Sequence, residues 1–307
     1  MSKWAGKRVA VIGLGLLGAS LGLALKKSQV CRLGWARREE TRRWCVEHDV
    51  VDQTCDKLED VLAQADLTIL CLPIPVITQT LIEYAHCFKS GSIVTDIGSD
   101  KGVIVAAGEA ALKKYNVHFI GSHPMAGTEK NGCQAAFAEL YDNAEIFVTT
   151  TPDCNQDALR SVEDFWHLLK IASVRLITPE VHDSLVAHTS HISHLLALAL
   201  TLAVLDCDSS EEEALRYSGC ATGFRDTSRI ASSSPLMWRE IIENNQPAVV
   251  AAAQKCGHIY QEIVDSIAQS DFDRFEELFA RGKFLRDKWM DYKQSQKSCR
   301  EKQDSER

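Results

Sequence analysis

The 307-residue sequence has no surplus of cations, no paired-cysteine motif and almost no long apolar run, and each lack excludes a class of protein. Lys and Arg total 34 against 42 Asp and Glu, a formal net charge of −8. A general nucleic-acid binder needs a broad basic face to neutralise phosphates, so that class is set aside. The 11 cysteines are odd in number and scattered singly from Cys31 to Cys299, with no C-x-x-C pair. That pattern describes reduced thiols in a cytosolic protein rather than a disulfide framework or a zinc site. One apolar run, residues 9–25 behind Lys3, Lys7 and Arg8, mimics a secretory signal. Gly13, Gly15, Gly18 and Gly22 interrupt it, and it lacks a clear A-x-A cleavage site. No other window approaches the ~18 consecutive apolar residues of a spanning helix. The expectation is a cytoplasmic protein with neither nucleic acid nor membrane as partner.

What is present is a chain with enough apolar residues for a sizeable core, 45% hydrophobic and 25% charged, and long enough for two domains. No internal repeat is found. In the first half, short β-rich runs at 8–12, 32–35, 67–72, 93–96, 118–120 and 146–149 alternate with helical patterns at 16–27, 38–48, 58–63, 76–88 and 101–113. Such alternation predicts crossover connections and a mainly parallel, doubly wound α/β sheet. A helix at 156–170 and a strand at 173–177 are expected to complete the same layer. Beyond Thr178-Pro179 strand-like runs nearly vanish and helical periodicity takes over. Leu185, Ile192, Leu195, Leu196, Ala199 and Leu202 mark one expected buried helix face, and Val249, Ala253, Cys256, Ile259, Ile263 and Ile267 another. The predicted organisation is a nucleotide-binding domain over 6–178, an all-helical domain over 179–292, and a polar, disordered tail over 293–307.

The first chemical signal is the run from Val9 to Gly18, V-A-V-I-G-L-G-L-L-G. A buried strand feeds a G-x-G-x-x-G turn that opens a helix. Gly13 permits the tight turn, Gly15 lets a pyrophosphate approach the backbone, and Gly18 lets helix pack on strand. Free N–H groups at the helix start then meet the phosphate charge, which assigns Gly13, Leu14, Gly15, Leu16, Leu17 and Gly18 to a dinucleotide site of Rossmann type. Leu72 and Pro73, at the end of the 67–72 run, belong to the same expected site. An acidic residue that would hold the ribose 2′-hydroxyl of NAD is missing: the second strand ends Gly34-Trp35-Ala36-Arg37-Arg38, with Ala36 at the expected position. Arg37 and Arg38 can pair a 2′-phosphate, so NADP is favoured and NAD remains possible through Glu39 or Glu40.

Three further segments exceed a generic nucleotide fold. Thr95-Asp96-Ile97-Gly98-Ser99-Asp100-Lys101 and Gly121-Ser122-His123-Pro124-Met125-Ala126-Gly127-Thr128-Glu129 each follow a strand, at the carboxyl edge where ligands bind. His182-Asp183 and Thr189-Ser190-His191-Ile192-Ser193-His194 lie on the first long helix after Pro179, and Gly-Phe-Arg-Asp-Thr-Ser-Arg-Ile-Ala follows at 223–231. In order and spacing these segments resemble the prephenate/arogenate dehydrogenase family, from Lys7 to about Tyr292. The resemblance implies oxidative decarboxylation of a cyclohexadienol carrying a 4-hydroxyl and a ring carboxylate, on the route to tyrosine, with prephenate or arogenate as substrate. It implies that His123 polarises or deprotonates the 4-hydroxyl and that Ser99 orients it near the nicotinamide. It further implies Arg229 as carboxylate clamp, His194 and Ser190 as substrate contacts, and Arg225 as a pocket-shaping residue. Trp238 matches a family aromatic near the subunit boundary and reads equally as core. Glu129 and Asn131 are candidate neighbours of the substrate side chain.

Two positions depart from the family pattern: Asp100 stands where an apolar residue is usual, and Ser193 where proline is common. The nucleotide loop lies so near the first residue that no chorismate mutase segment is expected before it. No metal is expected: His188, His191 and His194 step by three along a helix, but no Cys or carboxylate cluster completes a site. A 3-hydroxy-acid dehydrogenase would use a lysine on the interdomain helix, yet none occurs between Val181 and Asp208. A non-enzymatic dinucleotide sensor would not require His123, Ser99 and Arg229 together. The helical domain carries more apolar surface than one layer buries, and the family resemblance implies a homodimer through it.

Overall fold

A computed structural model describes residues 2–128 and 130–305, and side chains as far as residue 295. The first 120 residues alternate strand and helix: β1 (Arg8–Ile12), α1 (Leu16–Ala24), β2 (Cys31–Trp35), α2 (Glu39–Glu47), β3 (Gln53–Thr54), α3 (Leu58–Leu62), β4 (Leu67–Leu70), α4 (Ile74–Glu83), β5 (Ile93–Asp96), α5 (Gly102–Leu112) and β6 (His118–Phe119). The six strands form one sheet in the order β3-β2-β1-β4-β5-β6, with every pair parallel. The order reverses between β1 and β4, the crevice where doubly wound sheets bind ligands. Successive residues of β1 supply opposite faces: Val9 and Val11 pack with Leu21 and Trp166, while Ala10 and Ile12 pack with Ile77 and Ile104. Both faces are covered, which is why the central strands read as unbroken apolar runs. β3 escaped the sequence reading because two residues carry no period.

The remaining strands form a second sheet. β7 (Ser122–Pro124) pairs antiparallel with β8 (Glu145–Thr149), which pairs parallel with β9 (Ser173–Ile177) after α6 (Gln156–Trp166). The strand runs at 146–149 and 173–177 therefore do not complete the nucleotide-binding sheet. The chain leaves that sheet at β6, and the segment around His123, read as a rim loop, is a strand whose partner is β8. Three residues starting Ser-His-Pro have no alternation to announce it.

Beyond β9 the structure is helical. α7 (Pro179–Val186) starts on Thr178, whose hydroxyl accepts the Val181 N–H, with proline at the first helical position. A π-helical turn, Ala187–His191, joins it to α8 (Ile192–Leu205). Then come α9 (Ser210–Gly219), α10 (Thr222–Ser228), α11 (Pro235–Asn244), α12 (Gln246–Ala268) and α13 (Phe272–Ser305). α13 continues without a break at Tyr292, where the sequence reading placed the start of a disordered tail.

By internal packing the compact units divide between Val249 and Val250. The reason is that residues 179–249 bond into the nucleotide-binding part: Asp183 accepts backbone N–H groups of the β5–α5 connection, and Ile241 is buried in the core that holds Ile77 and Leu81. Within the second unit Arg274 bridges to Glu262 at 2.6 Å. The expected buried helix faces are largely uncovered in the single chain. Leu196 and Leu202 are about half exposed, as are Ile259 and Ile267; Val249 is buried. Periodicity marks an apolar face but not what covers it. By length and mean hydropathy (1.3), the helix Pro179–Leu205 is also apolar enough to cross a membrane.

Candidate active site

The nucleotide loop follows from β1 ending at Ile12. Gly13 adopts φ +100°, and a Cβ there would lie 2.2 Å from the Cys71 carbonyl oxygen; one at Gly18 would lie 2.0 Å from the Gly13 oxygen. Both positions exclude a side chain. Around Gly15 a Cβ would meet nothing within 4 Å, so the backbone there is bare and open. Gly15 is also the N-cap of α1, and no side chain caps that end. Uncapped N–H groups at a bare glycine form the cradle an anionic pyrophosphate fits. Leu14 and Leu16 are buried beneath it, Leu17 is partly buried, Leu72 abuts Gly13, and Pro73 caps α4. Ala36 closes the end of β2, and Arg37 and Arg38 are exposed, their guanidinium groups without a partner among the described residues. Arg42 is occupied instead, donating to the Ala36 and Arg37 carbonyls and pairing with Asp56. Glu39 pairs with Arg43.

On the neighbouring rim, a fully buried ion pair joins Lys101 to Asp96 at the end of β5. Asp96 also accepts the Gly98 and Ser122 N–H groups at 2.8 and 3.1 Å, and the Lys101 ammonium donates to the Ser122 carbonyl at 2.9 Å. Burial lowers the Lys101 pKa, and Asp96 acts against that. Ser122 is held further through its hydroxyl, 2.8 Å from Thr95 Oγ1 and accepting the Trp166 indole N–H at 3.1 Å. β7 is thereby pinned to β5 one residue before His123. Sequence reading passed over Asp96, Lys101 and Trp166, whose partners are remote or unmarked in the chain.

His123 is half-buried. Its Nδ1 lies 2.9 Å from His182 Nε2, and His182 Nδ1 lies 2.8 Å from Asp183 Oδ1. Asp183 in turn accepts the Lys101 N–H at 2.7 Å and the Gly102 N–H at 2.8 Å, at the start of α5. Burial drives the His123 pKa well below that of a free imidazole, reinforced by His182 and Lys101. Burial also lowers His182, while its hydrogen bond to Asp183 opposes the shift. Burial disfavours the Asp183 carboxylate, but bonds from His182, Lys101 and Gly102 prevail and hold its pKa below the usual value. The site therefore holds imidazoles that are neutral near pH 7, backed by one anion, so that each ring keeps one nitrogen lone pair. Ser99 lies at the same edge, half-buried, with no hydrogen-bond partner for its hydroxyl among the described residues.

The other expected site residues are distributed differently. His194 Nδ1 donates to the Ser190 carbonyl at 3.1 Å, and its ring lies tilted by 33° against Trp238 with centroids 4.0 Å apart. His191 is buried, 3.5 Å from Asn245 Nδ2, as expected of a packed helix histidine. His188 is exposed and bonds to the Ser184 carbonyl. No group of three or more His, Cys, Asp or Glu suited to a metal ion occurs among the described residues. Arg229 opens an exposed 3-10 turn, Arg229–Ser232, and is unpaired among the described residues, whereas Arg225 bonds to Asp226 at 3.0 Å. Asn131 is exposed, and Glu129 lies outside the described residues.

Loop and rim together define a dinucleotide-dependent oxidoreductase built on a Rossmann-type sheet, with the chain His123–His182–Asp183 beside the sheet's carboxyl edge. The chain belongs to the prephenate dehydrogenase family. Family models described as the prephenate dehydrogenase nucleotide-binding domain and dimerization domain match residues 21–175 and 178–281. The chain is 30% identical to a cyclohexadienyl dehydrogenase of Zymomonas mobilis over 276 residues, 89% of this chain and 92% of that protein. Its structure is similar to prephenate dehydrogenase from A. aeolicus solved with hydroxyphenyl propionate and NAD+, at TM-score 0.84 and 26% identity, covering 92% of this chain and 98% of that one. It is likewise similar to Synechocystis arogenate dehydrogenase, at TM-score 0.81 and 29% identity, covering 92% and 99%.

Asp100 sits beside this site, fully buried, with neither carboxylate oxygen hydrogen-bonded among the described residues. Burial, with Asp183 nearby, pushes its pKa up to about 7 against the opposing Lys101 charge. His191 Nε2 is 3.9 Å away, too far for a hydrogen bond, and burial takes that imidazole down to about 4. A carboxyl whose folded pKa is raised stabilises the fold while protonated, and that stability is lost as pH climbs towards 7 and beyond. Asp100→Asn, neutral throughout, is therefore expected to be more stable than the parent at pH 8, with the advantage shrinking towards pH 5. Urea denaturation at the two pH values measures this; an advantage that does not depend on pH contradicts the assignment.

Proposed function

We propose that the chain is a prephenate dehydrogenase, converting prephenate to 4-hydroxyphenylpyruvate and carbon dioxide in tyrosine biosynthesis. The observation that carries this reading is His123: its Nδ1 is occupied by His182, leaving Nε2 without a partner among the described residues. A bound nicotinamide would supply the acceptor for the hydride on C4 of the substrate. His123 takes the 4-hydroxyl proton as that hydride departs. The ring carboxylate then leaves as carbon dioxide, its bonding electrons completing the aromatic ring, and His123 returns the proton to the phenolate oxygen. Aromatisation drives the carboxylate loss without a metal. Arg229, unpaired and exposed, supplies the guanidinium fork for a substrate carboxylate, with His194, Ser190 and Arg225 shaping the pocket and Ser99 orienting His123. Arogenate is the alternative substrate, favoured by the likeness to the Synechocystis arogenate dehydrogenase; kcat/KM for the two substrates decides between them. His123→Asn is expected to lower kcat by roughly 10²–10⁴-fold, the usual worth of a positioned base. Absorbance at the reduced-nicotinamide band reads it with prephenate as substrate, and parent-like turnover by the variant rejects the mechanism.

The cofactor cradle comprises Gly13, Leu14, Gly15, Leu16, Leu17 and Gly18, with Ala36, Leu72, Pro73 and Ser99 around it. NADP is favoured over NAD because Arg37 and Arg38 are unpaired beside an uncharged Ala36, where they can meet a 2′-phosphate. The double change Arg37→Ala, Arg38→Ala is expected to raise KM for NADP about tenfold or more and leave KM for NAD nearly unchanged. An equal change for both cofactors removes the basis for the preference.

The exposed apolar face of α8 supports a homodimer, in keeping with the dimerization-domain match. A membrane span is disfavoured for the same helix, since its first half carries the buried His182, Asp183 and His191. All ten described cysteines are free, which supports a cytoplasmic location. Sedimentation at micromolar concentration is expected to show a dimer, and Leu198→Glu with Leu202→Glu a monomer; a monomeric parent contradicts the proposal.

A further inference from the structure

Nothing in the reaction as described uses His182 or Asp183, yet both are buried, and one is bonded to the base. We propose that His182 and Asp183 are positioning residues, a relay that fixes the proton of His123 on Nδ1 and so keeps Nε2 open as the base. This rests on the role given to His123 above.

The relay starts at its anion. Asp183 receives two backbone N–H groups, from Lys101 and Gly102, where the positive end of the α5 dipole also favours negative charge. Its peptide carbonyl accepts Asn245 Nδ2 at 2.8 Å, which fixes the residue from the other side. An ionised carboxylate only accepts, so the 2.8 Å contact with His182 places a proton on His182 Nδ1. Burial keeps His182 neutral, so its Nε2 is a lone pair. The 2.9 Å contact from His123 Nδ1 is then satisfied only when His123 donates. The opposite assignment would set two acceptors face to face at Asp183, an unpaired polar contact in a buried place. The Phe147 ring meets His182 edge-on at 5.9 Å and limits its rotation. When His123 takes up a proton, the resulting charge is opposed through His182 by Asp183, the logic of acid–histidine pairs in general base catalysis.

The test reads tautomers as well as rates. Nitrogen-15 NMR of the imidazoles in the ligand-free protein is expected to show His123 protonated on Nδ1. Finding the proton on Nε2 overturns the relay, whatever any variant does. His182→Leu removes the acceptor and is expected to move the His123 proton towards Nε2 and lower kcat on the order of 100-fold, with KM for the dinucleotide unchanged. His182→Gln, whose amide can accept from His123 and donate to Asp183, is expected to recover most of that loss. A His182→Leu enzyme with parental kcat, or with His123 still protonated on Nδ1, overturns the proposal. Since the tautomer is read without substrate, a protein inactive on prephenate but protonated on Nδ1 overturns the proposed function alone.

Discussion

The buried pair of Asp96 and Lys101 is the contact on which the site depends. An ion pair with no solvent on either member is poor evidence of added stability, because desolvation consumes most of the attraction. Its value here is geometric. Breaking it would strand a charge in the interior at a cost of about 3–5 kcal/mol, so the peptides around it have one satisfied arrangement. Asp96 accepts the Ser122 N–H and Lys101 donates to the Ser122 carbonyl, which holds β7 against the carboxyl end of β5. The same turn offers its next two N–H groups to Asp183, so the helix after β9 is tied to the sheet by the same few residues.

That arrangement explains an unusual division of labour along a single helix. The stretch from Pro179 to Leu205 is continuous but for one π-helical turn at 187–191. Before the turn it buries the polar His182 and Asp183 beside Pro179 and Val186; after it, it exposes the apolar Leu196, Leu198 and Leu202. A π-turn inserts an extra residue and so rotates the faces of the helix beyond it. One face thus holds His182 and Asp183 against His123 while another stays apolar and exposed, so a buried polar contact and an uncovered apolar stripe share one element.

Much was legible in the residues themselves. β1 and the glycine turn could be read because a buried strand, a spacing of glycines and a helix start are all local, although the Cys71 carbonyl that leaves Gly13 no room for a Cβ is remote in the chain. Strands β2, β4 and β5 declared themselves as apolar runs between turns. The second sheet did not, because β7 is three residues long and its pairing with β8 spans more than twenty intervening residues. Nor was the covering of the long helices legible, since an apolar stripe looks the same whether its partner lies in the chain or outside it. His182 and Asp183 were visible as residues, but their bonds to His123 and to the start of α5 reach 59 and 82 positions away.

By itself, then, the order of residues determined the nucleotide-binding sheet, its glycine loop and the family, because these depend on spacing within a few turns of chain or on motifs that recur as written. Only the folded chain decided that Asp96 and Lys101 lock the rim, that Asp100 lies buried with no hydrogen bond among the described residues, and that a carboxylate stands one imidazole behind His123. Those are matters of which distant groups share a desolvated volume, and burial is what turns an ordinary histidine or aspartate into one with a fixed proton.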